Sequence, residues 1–308
     1  MTTQVEIVRR FRCFGSDCTV IVAGDDSAAR AAEDAEMQLL AWHRRFTRFT
    51  TTSELSQLNA DPRPAVSVSP VMARFVQAAV DSARETGGLV DATLLGALED
   101  AGYRRDLQGS LPLSIALGLA PARRPAGPAA LARWADVSVD AMANTVSRPP
   151  GLRLDSGGVA KGLFADMISE RLDGHESYAI ECAGDLRLGG TDGHDRRVDV
   201  SSPFDGSTLH AFELARAGVA TSGIGRRSWL DENARPAHHL LDPSTGRPAF
   251  TGVVQATAIA PTALEAELRA KAALLSGPGA ASDCLAYGGL VVLDDGSHHL
   301  VASRKDLP

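Results

Sequence analysis

The stretch Leu154-Asp-Ser-Gly-Gly-Val-Ala-Lys-Gly162 is the most informative segment of the chain, because apolar residues at helical spacing follow it. Paired glycines before a helix let the backbone approach a ligand closely, and the N–H groups and dipole of a helix N-terminus favour an anion. Lys161 can add a positive charge, and Asp155 can accept hydrogen bonds from a ligand or help to orient a metal. The pattern is equally typical of a strand–turn–helix corner with glycines for tight packing, and it matches neither a P-loop nor a G-x-G-x-x-G fingerprint. Both interpretations stay open on this stretch alone.

Further helices are predicted from apolar residues at positions i, i+3, i+4 and i+7. They cover residues 27–46, 69–86 and 263–276. Ser69 is a favourable N-cap with Pro70 at the first helical position, and Gly87-Gly88 ends that helix. The third helix is preceded by Thr262-Ala-Leu-Glu265, which is a capping-box pattern.

Strands are predicted at short stretches rich in β-branched residues, many of them bounded by glycines. They cover residues 17–23, 134–139, 145–147, 178–182, 197–201, 219–222, 253–259, 290–293 and 299–302. Residues 111–128 are rich in Ala, Pro and Gly, and we expect a long, mobile loop with one helical turn there. Strands and helices without a regular βαβ alternation predict an α+β fold.

The composition excludes several classes of protein. The chain has 308 residues, 44% of them hydrophobic, and a net charge of −7. This is enough for a sizeable core, and an acidic chain lacks the general attraction to nucleic acid and anionic membranes. No apolar run approaches the ~18 residues of a membrane span, and no signal sequence is visible. Four cysteines without C-x-x-C spacing do not indicate a disulfide scaffold, so we expect a cytoplasmic globular protein.

A second segment, Ala237-His-His-Leu-Leu-Asp-Pro-Ser-Thr-Gly-Arg-Pro248, combines two histidines with a turn signal. If the histidines lie on a strand, only one points inward, and an inward histidine near a carboxylate is a candidate base. The alternative is that the two histidines simply lie at a strand edge and have no catalytic role. Without other information, this segment favours that alternative. Thr221-Ser-Gly223 ends a predicted strand, where it can offer hydroxyl and N–H groups to a ligand or simply end the strand.

Taken in order, these segments resemble the ApbE-type flavin transferases (FAD:protein FMN transferases). The resemblance covers most of the chain, and its other motifs are Phe14-Gly-Ser16, Phe46-Thr-Arg-Phe49, Ser53-Glu-Leu-Ser-Gln-Leu-Asn59, Asp91-Ala-Thr93, Gly184-Asp-Leu-Arg187 and Ala258-Ile-Ala-Pro-Thr-Ala-Leu-Glu-Ala266. Each motif alone is weak, whereas the whole series indicates the family's fold. That fold is an ApbE-like (T-fold-like) α+β arrangement of mixed or antiparallel sheets with packed helices.

The resemblance implies that the chain binds FAD and Mg²⁺, transfers FMN to a Thr or Ser hydroxyl of a target flavoprotein and releases AMP. It places catalytic roles at His239, the candidate base, and at Asp242. The implied FAD contacts are Phe14, Phe49, Asp155, Lys161, Thr221, Ser222, Gly223 and Leu240, with Phe14 and Phe49 standing where the family usually has Met and Tyr. The implied metal contacts are the carbonyl of Gly158 and the side chain of Glu267.

The last predicted helix departs from the family at this metal site, where Glu267 and Lys271 stand in place of the usual Asp and Thr. Glu can still ligate Mg²⁺, but a protonated Lys cannot, and it repels a nearby dication. Three outcomes stay open. Lys271 replaces the metal and pairs with Glu267, transfer is lost while FAD is held, or the two residues form a surface ion pair with the metal bound nearby.

The sequence therefore predicts an FAD:protein FMN transferase in which residues 1–308 form one unit. Its partner would be a target flavoprotein, which we expect it to meet inside the cell, and neither nucleic acid nor membrane. The alternative is a metal-independent FAD-binding protein of the same fold that lacks transfer activity or hydrolyses FAD.

Overall fold

A computed structural model describes residues 6–105, 107 and 109–307 of the chain. Residues 1–5 lie outside this range. The expectation about a signal sequence therefore falls partly on residues that are not described. The helices within it are α1 (Ala28–Phe46), α2 (Glu54–Ala60), α3 (Pro70–Glu85), α4 (Leu95–Asp100), α5 (Leu113–Leu119), α6 (Ala160–Leu172), α7 (Ala263–Ser276) and α8 (Ala281–Cys284), with 3₁₀ helices at Ala92–Leu94 and Arg133–Asp136. None of these helices is long and apolar enough to cross a membrane.

The strands form one large sheet and several small ones. They are β1 (Glu6–Cys13), β2 (Ser16–Ala23), β3 (Ala65–Ser67), β4 (Ser138–Asp140), β5 (Thr145–Ser147), β6 (Ser177–Cys182), β7 (Asp185–Gly189), β8 (Arg196–Ser201), β9 (Thr208–Leu214), β10 (Ala217–Gly223), β11 (Ser228–Leu230), β12 (Pro236–His238), β13 (Leu241–Asp242), β14 (Arg247–Pro248), β15 (Val253–Ala260), β16 (Gly289–Leu293) and β17 (His298–Val301). The large sheet has eight strands in the order β1-β2-β6-β7-β10-β15-β16-β17. Its neighbouring strands are antiparallel, and together with the helices they confirm the α+β prediction.

The edge strand β1 was not predicted from the sequence. It carries Arg9, Arg10 and Arg12, which hide the apolar alternation on which strand prediction depends. Its register with β2 runs from Glu6 opposite Ala23 to Cys13 opposite Ser16. Charged side chains on an edge strand are expected, because they discourage pairing with other chains.

Two predictions of local structure need correction. Residues 134–139 were predicted as a strand, but they begin within a 3₁₀ helix, and the strand there is confined to Ser138–Asp140. Residues 111–128 contain the helix α5 rather than a single turn. Beyond it, the N–H of Arg124 donates to the carbonyl of Phe250 (3.0 Å) and that of Ala126 to the carbonyl of Leu275 (2.8 Å), contacts too distant in sequence to predict.

The N-terminus of α7 is fixed by side chains from two elements. Thr262 Oγ1 accepts from the N–H of Glu265 (3.1 Å), but the carboxylate of Glu265 binds Arg269, so only half of the predicted capping box forms. Asp166 of α6 accepts instead from the first N–H groups of α7, at 2.8 and 2.9 Å. Since α6 itself caps α7, the two helices are held in a fixed relation.

Gly162 allows α6 and α7 to approach closely. A Cβ atom at this position would lie 2.7 Å from the carbonyl oxygen of Ala263, which is closer than packed atoms allow. Two residues later, the fully buried ring of Phe164 packs against Trp42 and Phe46, each at 4.9 Å between centroids. These contacts hold residues 155–161 between α1 and α7, where the candidate site lies.

Candidate functional site

A cavity of about 480 Å³ lies beside residues 155–161 and is called here the main cavity. It is also bordered by the turn between β1 and β2, by the end of α1 and by residues 239–241. Its volume falls in the usual range for small-molecule sites. Of the residues implied by the resemblance, it is lined by Phe14, Phe49, Asp155, Gly158, Lys161, His239 and Leu240, and also by Lys271.

Aromatic side chains form one wall of the main cavity. Phe14 adopts a left-handed backbone conformation (φ 53°), and its ring packs against His43 at 5.5 Å. Phe49 is 39% exposed, and its ring meets Tyr103 edge-on at 5.8 Å. Tyr103 stacks in turn on Trp229. These rings offer flat apolar surfaces of the kind that a conjugated ring system stacks against.

Arg48 is a residue of the site that the sequence analysis missed. Its guanidinium carbon lies 4.5 Å from the ring centres of both Phe49 and Tyr103, and it donates to the carbonyl of Tyr103 (2.6 Å). Its Nε lies 3.2 Å from Oδ1 of Asp155. The available signal was its place between two aromatic residues in Phe46-Thr-Arg-Phe49.

The carboxylate of Asp155 is already engaged on both sides. Oδ1 faces Arg48, and Oδ2 accepts from the N–H of Gly157 (2.9 Å). The strand–turn–helix corner that the sequence allowed here does not form, because Asp155 lies in a loop between β5 and α6. Its own N–H donates to the carbonyl of Ala92 (2.8 Å). Asp155 therefore shapes the loop that borders the cavity and holds Arg48 against the aromatic wall.

Four side chains form a charged cluster at the base of the main cavity: Lys161, Asp185, Glu267 and Lys271. Lys161 is partly exposed, and the other three are buried. Lys161 pairs with Asp185 and lies 3.1 Å from Glu267 Oε1, while Lys271 lies 2.7 Å from the same oxygen. Glu267 Oε2 accepts from the N–H of Gly162 (2.9 Å). The sequence allowed an anion-binding site at this helix N-terminus, and the carboxylate of Glu267 occupies that position at α6.

Burial and charge act against each other in this cluster. Burial raises the pKa of Glu267, but Lys161 and Lys271 outweigh it and lower that pKa to about 2. Burial lowers the pKa of Lys161, but Asp185 and Glu267 outweigh it, so the pKa lies above its ordinary value. Burial and the neighbouring Glu267 raise the pKa of Asp185 to about 7. The pKa of Lys271 is lowered, chiefly by burial.

The residues of the cluster do not fit a divalent metal. Glu267 is fully buried, and both of its oxygens accept from protein donors. An ammonium 4 Å from a dication is repelled by about 8 kcal/mol at an effective dielectric constant of 20. Within the described residues there is no group of three or more His, Cys, Asp or Glu side chains that could hold a metal. A surface ion pair is also wrong, because Lys271 is only 7% exposed.

The two adjacent histidines occupy different environments. His239 lines the main cavity, and its Nδ1 lies 3.4 Å from the carbonyl oxygen of Arg227. Burial lowers the pKa of His239 well below its ordinary value, so the imidazole is neutral at pH 7. His238 is buried beside Phe250, and its Nδ1 accepts from the N–H of Leu240 (3.3 Å). Neither histidine lies at an exposed strand edge.

Asp242 does not line the main cavity. Its Oδ1 accepts from the N–H groups of Gly127 (3.1 Å) and Ser244 (3.0 Å), and Oδ2 lies 3.7 Å from Arg124. The carboxylate therefore holds the turn that follows Leu241 and joins it to residues 124–127. The catalytic role implied for Asp242 stays a prediction, and the contacts of its carboxylate are those of a residue that positions the turn.

The predicted FAD contacts on β10 do not reach the main cavity. Thr221 and Gly223 line a second cavity on the opposite face of the large sheet, where Thr221 Oγ1 lies 2.8 Å from Thr257 Oγ1. Ser222 points to the other face but is buried and lines neither cavity. Alternate residues of a strand face opposite sides, and the sequence does not reveal which side carries the ligand.

Comparisons with known proteins agree with this architecture. The sequence profile described as the ApbE family matches residues 1–292. An FAD:protein FMN transferase from Klebsiella pneumoniae (strain 342) is 27% identical over 292 residues, which cover 91% of this chain and 81% of that protein. The FAD:protein FMN transferase from Salmonella typhimurium (strain LT2) is 29% identical over 268 residues, covering 83% and 74%.

Solved structures show the same fold. The ApbE protein from Thermotoga maritima superposes with a TM-score of 0.76 at 24% identity and covers 96% of this chain and 97% of its own. The apo flavinyl transferase ApbE from Pseudomonas stutzeri has a TM-score of 0.75 at 22% identity, covering 98% and 96%. The predicted resemblance is confirmed over most of the chain, and this protein belongs to the ApbE family.

Proposed function

We propose that this chain is an FAD:protein FMN transferase. The hydroxyl oxygen of a Thr or Ser on a target flavoprotein attacks the phosphorus of the FMN half of FAD. A phosphoester bond forms, the bond from that phosphorus to the bridging oxygen breaks, and AMP leaves with the bridging oxygen. The hydroxyl proton passes to a base, and no oxidant or reductant is consumed.

One observation carries the proposal: the same cavity is lined by aromatic rings on one wall and by two lysine side chains on its floor. The rings of Phe49 and Tyr103 suit the flavin or the adenine, while Lys161 and Lys271 suit the diphosphate. A chain with a net charge of −7 provides no general attraction for FAD, so these local cations supply it.

We propose His239 as the base. If its Nδ1 carries the proton and donates to the carbonyl of Arg227, the other ring nitrogen, Nε2, can accept the proton of the hydroxyl. Burial keeps the imidazole neutral, which is the form that a base requires. Asp242 supports this residue indirectly, through the turn that ends the segment carrying His239 and Leu240.

The test is to incubate the protein and FAD with a target domain that carries an acceptor Thr, and to follow covalent flavin by in-gel fluorescence. We expect a fluorescent target and an equal amount of AMP. His239→Gln should abolish labelling, whereas His298→Gln, an exchange at an exposed strand residue, should not. An unlabelled target in the presence of bound FAD would refute the transferase.

A second function is favoured by the charged cluster, which has no metal ligand set. The chain would then hold FAD without transferring it, or hydrolyse it. Measurement of AMP without any acceptor separates hydrolysis from transfer. We also propose that the protein acts in the cytoplasm, which cell fractionation with an antibody can test.

A further inference from the structure

The charged cluster stands where the family resemblance implies a divalent metal. Glu267, the implied metal ligand, is fully buried, and its Oε1 accepts from both Lys161 and Lys271. Its Oε2 accepts from the N–H of Gly162. A carboxylate in this state has its charge balanced by ammonium groups rather than left for a cation from solution.

Lys271 also reaches the other implied metal contact. A Cβ atom built on Gly158 would lie 3.9 Å from Cε of Lys271, so the end of the lysine side chain lies against the glycine loop. Lys271 borders the main cavity on the same side as Lys161. One ammonium thus stands between the buried glutamate and the loop of residues 155–161.

The chemistry of an ammonium group suits this place. Lys271 Nζ has three donor hydrogens, and Glu267 takes one of them at 2.7 Å. Glu267 lies four residues before Lys271 on α7, so its carboxylate can hold the ammonium group of Lys271 in place. The remaining hydrogens can bind phosphate oxygens, for which Lys acts as a compact positive charge.

We propose that the ammonium group of Lys271, held by Glu267, takes the place of a divalent metal beside the diphosphate, so that this chain binds FAD without a divalent cation. The inference rests on the proposed function, because it takes FAD as the ligand. It differs from that function in a measurable way, since it concerns the cation and not the transfer.

The experiment has two parts on the full chain. First, FAD is titrated by fluorescence in buffer with EDTA and in buffer with millimolar Mg²⁺. Second, Mn²⁺ is titrated with and without FAD while unbound Mn²⁺ is followed by electron paramagnetic resonance, with FAD and Mn²⁺ alone as the blank. We expect equal FAD affinity in both buffers and no Mn²⁺ held by the protein.

Variants on α7 test the role of the lysine. Lys271→Met removes the charge at nearly constant length and should weaken FAD binding about tenfold, with no rescue by Mg²⁺. Arg269→Met is the matched control, because Arg269 pairs with Glu265 at the same spacing but does not border the main cavity. It should leave FAD affinity unchanged.

The results separate the inference from the proposed function. A tenfold gain of wild-type affinity with Mg²⁺, or one Mn²⁺ bound per chain and released by Glu267→Gln, would overturn the inference. Unchanged affinity in Lys271→Met would also overturn it. If FAD does not bind in either buffer, the proposed function fails, and the Mn²⁺ titration without FAD still decides whether the cluster accepts a metal.

Discussion

The exchange Glu267→Gln tests whether the charged cluster stabilises the fold. Glutamine has the same size but no charge, and both carboxylate oxygens of Glu267 now accept from N–H groups. Whichever way the amide is turned, its NH₂ group faces at least one donor: one hydrogen bond is lost if it replaces Oε2, and two are lost if it replaces Oε1. Two ammonium groups also lose the carboxylate that balances them.

The expected loss of stability can be obtained in two ways. Removing one partner of a buried ion pair costs about 3–5 kcal/mol. The pKa of Glu267 falls from 4.5 to about 2, which corresponds to about 3 kcal/mol at roughly 1.4 kcal/mol per pKa unit. Lys271 borders the main cavity and can turn toward water there, so we expect about 3 kcal/mol, at the lower end of the range.

The assay is urea unfolding at pH 7, followed by tryptophan fluorescence and far-UV circular dichroism with coincident transitions required. Glu265→Gln is the matched control, because it is the same exchange on the same helix in a partly exposed pair with Arg269. It should cost at most about 1 kcal/mol. A loss in Glu267→Gln no larger than in the control would refute the reasoning.

The pH dependence gives an independent check. The folded pKa of Glu267 is below its ordinary value, so its stabilisation is present above about pH 4.5 and is lost as the pH falls toward 2. The difference between wild type and Glu267→Gln should therefore shrink over this interval.

Three further predictions follow from single positions. Gly162→Ala places a Cβ 2.7 Å from the backbone of α7 and should cost at least about 1–3 kcal/mol in urea unfolding, whereas Gly174→Ala, which meets nothing within 4 Å, should cost less than about 1 kcal/mol. Ala183 has a left-handed backbone (φ 55°), so Ala183→Gly should raise the unfolding free energy by about 0.5 kcal/mol; a loss of stability would show that this conformation carries no strain. Asp185 faces the amino groups of Lys161 and Lys271 and the carboxylate of Glu267, and it takes up a proton below about pH 7, which makes the cluster more positive. FAD affinity should therefore fall as the pH rises through about 7, and a titration of Asp185→Asn should show no such fall.

Regular structure was largely predictable from the sequence because it depends on local patterns. Apolar spacing and caps such as Ser69 identified α1, α3 and α7, and β-branched stretches identified β2, β6, β10, β15 and β16 of the large sheet. The inner strand β7 was not predicted, because its sequence, Asp185–Gly189, contains no β-branched residue. The edge strand β1 was missed because arginines interrupt its pattern. The strand predicted at residues 134–139 was wrong at its start, which a 3₁₀ helix occupies, because such a helix has no distinctive apolar spacing.

The site was predictable where a motif fixes the backbone and not where two distant elements meet. Asp155, Lys161 and His239 do come together at one cavity. Thr221 lies at the second cavity instead, and the sequence of β10 could not show this, because the hairpin of β8 and β9 borders that face of the sheet. Its contact with FAD stays a prediction. Asp185 belonged to a recognised motif, but its contact with Lys161 depends on the packing of α6 against β7.

The domain prediction, one unit over residues 1–308, stays a prediction that limited proteolysis can test. Its basis in the structure is that the large sheet joins β1 and β2 from the start of the described chain to β15, β16 and β17 from its end. Cleavage into two stable fragments would contradict it.

The pairing of Glu267 with Lys271 also constrains how the chain can change over evolutionary time. If Lys271 alone becomes an uncharged residue, Lys161 is the one lysine of the cluster left to balance two buried carboxylates, those of Glu267 and Asp185. If Glu267 alone becomes uncharged, a buried ammonium loses its partner. Because the two side chains are in contact, we expect the double exchange to cost less than the sum of the two single exchanges, so that each position constrains what the other can become.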